Sequence, residues 1–245
     1  MKTLYFDCGM GAAGDMICAA LLELILDQET TLKKLNQIGI PEVEYQTKKE
    51  QKQQITGTSM HVKIHGRQEE SDYPTHIHLH MKLEDIQKII SALNVSDRVK
   101  TSVMDIYQII AQAESRAHNC TVEEVHFHEV GAMDAIADIT AACVLIEEIG
   151  PDIILASPVH VGKGTVACAH GILPVPAPAT ANILKDIPYY SEDIEGELCT
   201  PTGAALLKYF VKSFQTQDVS FAAAVGRGMG KREFQRPSYI AAYLI

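Results

Sequence analysis

Apolar residues recur along this chain at two periods, about 2 and about 3.6, in alternating blocks. Residues 3–7, TLYFD, are a short apolar run that predicts a buried strand. A helix is expected from about Asp15 to Leu26, and a second helical pattern follows in 29-ETTLKKLNQIGI-40. Positions 42–65 alternate instead (VEYQTKK, then ITGTSMHVKIH), which predicts two antiparallel strands joined through the polar KKEQKQQ. Two more helices are expected in 82-KLEDIQKIISALNV-95 and 96–117; the latter carries Val99, Val103, Ile106, Ile109, Ile110 and Ala113 as a core-facing stripe. The chain is helical again over 134–149, Gly150-Pro151 stops it, and 152-DIILASPVHVG-162 reads as a strand. A short helix begins in PATANILKDI, another begins with Thr200 as N-cap and Pro201 in its first turn, and SYIAAYLI closes the chain as a strand. No internal repeat is evident. Strands and helices alternate throughout, so the expected fold is α/β, a mixed sheet with flanking helices. It is read as one domain over 1–245, with a hairpin-containing subdomain at 41–72.

Composition narrows the class. Hydrophobic residues make up 47% and charged residues 21%, which is ordinary for a soluble globular protein. A formal net charge of −10 argues against a general nucleic-acid or anionic-membrane binder and favours cations. No segment approaches the ~18 apolar residues of a membrane span. The opening MKTLYFDCG enters a strand with no secretory signal, and the cysteines at 8, 18, 120, 143, 168 and 199 form no Cys-x-x-Cys pair. They read as reduced, mostly buried thiols of a cytoplasmic protein.

The densest chemistry lies in 123-EEVHFHEVGAMDAIADI-139, which holds His126, His128, Glu129, Asp134 and Asp138. Extended backbone at 126–128 puts both imidazoles on one face. The four-residue spacing puts Asp134 and Asp138 on one helical face. Imidazoles beside carboxylates suit a divalent metal, nickel and zinc included, and the carboxylates can serve as bases. Capping and burial explain any one of these residues, but not all five together. A second cluster, 76-HIHLH-80, places His76, His78 and His80 on one side if extended, as ligands of one metal or as a solvated polar face. His61 and His65 read as solvated surface of the hairpin.

Three loops remain. The run 9-GMGAAG-14 matches the dinucleotide pattern at Gly9, Gly11 and Gly14, but no second strand with an acidic end follows, so it is read as a tight turn positioning Asp7 and Asp15. His170, in 162-GKGTVACAHGILPVPAPAT-180, is a candidate ligand or base, or a satisfied loop histidine. The helix start at Thr200 offers free N–H groups and the hydroxyls of Thr200 and Thr202 to a phosphate, and 226-GRGMGKR-232 reads as an anion-binding nest.

These motifs together, FDCGMGAAGDM, HIHLH, EEVHFHEVGAMDAIADI, AHGILPVPAPAT, IEGELCTPTGAALL and GRGMGKREF, resemble the LarC family of nickel-insertion proteins from about residue 3 to 240. The resemblance implies a CTP-dependent cyclometallase of lactate racemase cofactor synthesis. Such a protein inserts nickel into pyridinium-3,5-bisthiocarboxylic acid mononucleotide and cleaves CTP to CMP and pyrophosphate. It further implies an N-terminal domain of a longer architecture, partnered by a C-terminal part that takes CTP with Mg or Mn. A homo-oligomer is allowed for; nucleic acid and membrane are not expected. Nickel is assigned to His126, His128 and Glu129, with His76, His78 and His80 recruiting it. The base is Glu129, Asp134 or His170, and Lys163, Thr200, Thr202 and Arg227 are the substrate phosphate contacts. The alternatives are a metal-dependent hydrolase, a non-catalytic nickel carrier and, last, a nucleotide-binding oxidoreductase.

Overall fold

A computed structural model describes residues 1–64, 67–68, 81–127, 133–168 and 171–245. Its strands in chain order are β1 (Thr3–Asp7), β2 (Val43–Lys52), β3 (Ile55–Ile64), β4 (Arg67–Gln68), β5 (Ile153–Ala156), β6 (Val159–His160) and β7 (Gly162–Lys163). They continue with β8 (Thr165–Cys168), β9 (Gly171–Pro174), β10 (Tyr189–Tyr190), β11 (Gly196–Glu197), β12 (Ser213–Phe214), β13 (Ala224–Met229) and β14 (Tyr239–Leu244). The helices are α1 (Gly14–Glu23), α2 (Gln28–Leu35), α3 (Leu83–Ala92), α4 (Asp97–His118), α5 (Met133–Ile149), α6 (Pro178–Ile183) and α7 (Pro201–Phe210).

The main sheet is mixed, in the order β12-β5-β1-β14-β13-β3-β2, with β4 on β3. The chain is α/β, as its pattern predicts. The hairpin over 43–64 joins this sheet through a parallel contact of Gly228 with Thr58. Its strands run through most of KKEQKQQ and turn only at Gln53, whose φ of 52° is left-handed. The expected strand over 152–162 is instead three short pieces, because Pro158 has no N–H to give to a ladder. The glycine- and proline-rich segment after it folds into the hairpin β8–β9.

Helix α1 is the centre of the packing. Residues Gly14 to Leu22 are all buried, so the helix is covered on every side rather than amphipathic. It lies across β3, β13 and β14, with α5 against it and α4 packed on α5. Here the first part of the expected anion nest at 226–232, Gly226 to Met229, proves to be strand. No positive φ occurs at Gly226, Gly228 or Gly230. A Cβ on Gly228 would stand 1.8 Å from the Met16 carbonyl oxygen, so the missing side chain lets α1 rest on the sheet. Glu23 fastens the far end of α1. Its carboxylate takes Lys49 Nζ at 2.5 Å, Thr58 Oγ1 at 2.6 Å and the Arg227 N–H at 2.8 Å. Burial pushes its pKa up, but these three donors outweigh burial and hold it below the usual range.

Candidate functional site

The carboxyl ends of five strands share one edge of the sheet. β12, β5 and β1 are mutually parallel, β14 runs against both β1 and β13, and β13 is parallel to β3. In open α/β sheets this edge is where ligands bind. The loop 8–13 leaves β1 there and starts α1. The start of α7 lies beside it, with Ala12 N–H donating to Leu198 O at 3.0 Å and Thr200 N–H to Ala12 O at 3.0 Å. Gly11 has φ 84°, and a Cβ on it would meet the Leu198 carbonyl oxygen at 2.0 Å. The glycine loop is thus filled by its own chain. A Cβ on Gly14 would lie 2.7 Å from Asp138 Oδ2 and 3.0 Å from Thr202 Cγ2, so α1, α5 and α7 converge at this point.

A charged centre is buried where they meet. Asp15, 9% exposed, pairs through Oδ2 with Lys231 Nζ at 3.4 Å. The Asp138 carboxyl takes the Asp15 N–H, while its Oδ1 is sealed from solvent with no hydrogen-bond partner. Burial, and then the carboxylates of Asp15 and Asp134, push the Asp138 pKa well above the usual range. Burial pulls the Lys231 ammonium down, but Asp15, Asp138 and Asp134 outweigh it and leave its pKa raised. Asp134, one turn before Asp138 and in the first turn of α5, accepts the Ala135 N–H at 2.7 Å. The Tyr107 phenol is raised by burial and then by Asp134 and Asp138. Cys18 donates through sulfur to the Asp138 carbonyl at 3.1 Å, and burial raises its thiol well above the usual range, so it is no thiolate. His61, expected on solvated surface, is half-buried, lies 3.0 Å from Ser59 Oγ, and has its pKa lowered by burial and then by Lys231.

Two described residues that adjoin the histidine segments in sequence are hydrogen-bonded to each other. Phe127, between His126 and His128, forms an antiparallel bridge with Met81, the residue after His80, and its N–H donates to Met81 O at 3.0 Å. Its ring packs edge-on against Tyr107, centroids 6.0 Å apart. His126 is exposed beside it. His65, His76, His78, His80, His128, Glu129 and His170 lie outside the described residues. Among the described residues no three His, Cys, Asp or Glu side chains are grouped to hold a metal ion.

The four expected phosphate contacts divide. Thr200 Oγ1 caps α7, accepting the Gly203 N–H at 3.2 Å, and Thr202 touches the Gly14–Asp138 junction. Lys163 instead pairs with Asp193 and, at 3.2 Å, with Glu195. Arg227 alternates with the glycines that face α1, which puts its side chain on the opposite face of the sheet. Lys231, not Arg227, is the cation at the helix junction. Its partner Asp15 is over two hundred residues away, and no local signal links them. Asp138 was visible beside Asp134, but its burial was not.

The fold and this edge define an α/β domain with a buried carboxylate–lysine centre and a Met81–Phe127 bridge packed on Tyr107. A family model described as "nickel insertion protein" matches residues 4–244, and the chain belongs to that family. It is 39% identical over 244 residues to a putative nickel insertion protein of Dictyoglomus thermophilum, covering 100% of this chain and 61% of that protein. It is 42% identical over 250 residues to a pyridinium-3,5-bisthiocarboxylic acid mononucleotide nickel insertion protein of Clostridium kluyveri, covering 100% and 62%. A protein of the same name in Staphylococcus saprophyticus is 39% identical over 239 residues, covering 98% and 59%. The chain thus spans about three fifths of the length of these relatives. No solved structure matches.

Proposed function

We propose that this chain carries out nickel insertion into pyridinium-3,5-bisthiocarboxylic acid mononucleotide, together with a further part of the kind its longer relatives contain. Family membership supports the reaction class, and the Met81–Phe127 bridge supports the site, since it pairs the residue after His80 with the residue between His126 and His128. Nickel is cargo here. His126, His128 and Glu129 hold it and the 76–80 histidines recruit it; neutral imidazoles are the ligating form. As the nickel–carbon bond forms, the pyridinium C–H proton passes to a base, for which Glu129, Asp134 and His170 are the candidates. Thr200 and Thr202, at the start of α7, receive the phosphate. Lys163 and Arg227, the other two candidates, stand apart from that pair. CTP, with Mg or Mn, is assigned to the further part, where it is cleaved to CMP and pyrophosphate.

The test is nickel calorimetry on the wild type and on a His126→Ala/His128→Ala variant, at mildly alkaline pH. Loss of a tight site in the variant supports the assignment. Unchanged binding removes the metal from this segment. Metal binding with no product, even with CTP and the further part supplied, would favour a nickel carrier. Turnover with zinc or manganese and no nucleotide would favour a metal-dependent hydrolase.

A further inference from the structure

A second feature of the same sheet edge is unused by nickel chemistry. A cavity of about 330 Å³ opens at the carboxyl ends of β1, β5 and β12, within the range of small-molecule sites. Tyr5, Asp7, Gly9, Ser157, Tyr190 and Gln217 are among its lining residues, and Asp7 is the only charged one among the described residues. Among the described residues no lysine, arginine or histidine lines it. A neutral or cationic ligand rich in hydroxyl groups is therefore favoured over a phosphate.

The walls are held in place. Asp7 Oδ1 accepts the Gly9 N–H at 3.0 Å, which orients the carboxylate and leaves its second oxygen for a ligand. Ser157 Oγ accepts the Cys8 N–H at 2.9 Å and donates to Pro158 O at 3.0 Å. Burial raises the Tyr5 pKa, and the nearby Gln217 N–H and Ser157 hydroxyl offset part of that rise. Tyr190 is braced from behind. His160, fully buried, stacks on it with ring centroids 4.8 Å apart and planes within 3°. Both His160 nitrogens are occupied: Nε2 accepts the Glu192 N–H at 3.0 Å, so Nδ1 carries the proton and meets Gly9 O at 3.2 Å. The imidazole is therefore neutral, and burial, the largest influence on it, lowers its pKa. Its bonds run to the same Gly9 that fixes Asp7. Carboxylate and aromatic wall form one preorganised unit.

We propose that this cleft binds a ribonucleoside, with Asp7 accepting hydrogen bonds from the vicinal ribose hydroxyls and the Tyr190 ring packing on the base. A carboxylate at the end of a strand is a recurrent ribose-diol receptor. A carboxylate beside aromatic rings favours a cationic heteroaromatic base such as pyridinium over a neutral one. That preference for pyridinium rests on the proposed function; the ribose contact does not.

The test is titration of the chain with nicotinamide riboside, cytidine and 2′-deoxycytidine, followed through the backbone amide signals of Gly9 and Gln217. These probes contain neither sulfur nor metal, so failure here leaves the nickel reading to its own calorimetry. Both ribosides should shift these signals, with nicotinamide riboside the tighter and 2′-deoxycytidine about tenfold weaker than cytidine, or about 1.4 kcal/mol. Asp7→Asn keeps an acceptor for the Gly9 N–H and should weaken both ribosides about tenfold, with the rest of the spectrum unchanged. Tyr190→Ala should weaken them as well. Equal affinity for nicotinamide riboside and cytidine would overturn the pyridinium preference. The absence of shifts, equal binding of the deoxyriboside, or indifference to Asp7→Asn would overturn the site.

Discussion

Phe127 donates its backbone N–H to the Met81 carbonyl oxygen at 3.0 Å, and that one hydrogen bond joins two segments that look independent in the chain. Phe127 is 2% exposed, and its ring lies edge-on to Tyr107 under the carboxylates of α5. The contact does two jobs, closing the core and fixing where the chain leaves toward each set of histidines.

Phe127→Ala should therefore cost about 3–5 kcal/mol in urea denaturation, the usual loss for a buried phenylalanine. Phe127→Leu should retain most of the stability and, if the bridge organises the metal region, nickel affinity close to that of the wild type. Full nickel affinity in a folded Phe127→Ala protein would separate the bridge from the metal.

Glu23 and Asp138 should give opposite pH dependences. The Glu23 pKa is depressed, so its contribution is present above its ordinary value of 4.5 and is lost as pH falls through the lower folded value. Glu23→Gln should accordingly be less stable than wild type at neutral pH and approach it in acid.

Asp138 has the reverse sign. Its folded pKa is raised, so the native state holds a proton that the unfolded chain releases above about 3.8, and stability falls as pH rises past that value. Asp138→Asn removes this dependence, whose limiting slope is about 1.4 kcal/mol per pH unit. Thermal melts should show a variant that gains on wild type as pH rises above about 3.8. A constant offset above that value would refute the raised Asp138 pKa.

Gly228→Ala should push α1 off the sheet, since its Cβ would enter the Met16 carbonyl, and should lose about 1–3 kcal/mol or more. Arg227→Gln, one residue away on the opposite face, should leave α1 docked. Equal losses in chemical denaturation would contradict the assignment of the two faces.

Thr200→Ala should cost about 1 kcal/mol by removing the cap on Gly203 N–H. If the threonines also hold phosphate, the variant should lose affinity for the mononucleotide beyond its loss of stability. Substrate calorimetry on the still-folded variant would read that difference.

Much of this was legible in the chain because it is local. Period-2 and period-3.6 blocks located the hairpin and all the longer helices, since one exposed or buried face per element leaves its mark on successive residues. The Thr200–Pro201 helix start and the shared face of Asp134 and Asp138 follow from backbone geometry alone, and the family motifs are continuous strings. The glycines at 226, 228 and 230 misled for the same reason. A run of glycines beside cations has the composition of an anion nest, while their need, room for α1, lies across the sheet at Met16 and Ala20. The pairing of Lys231 with Asp15, the sealed oxygen of Asp138, the bracing of Tyr190 by His160 and the bridge from Met81 to Phe127 were decided by tertiary structure. Each joins residues far apart in sequence. Burial and charge proximity depend on which elements pack together, and local pattern constrains that only through the elements it builds.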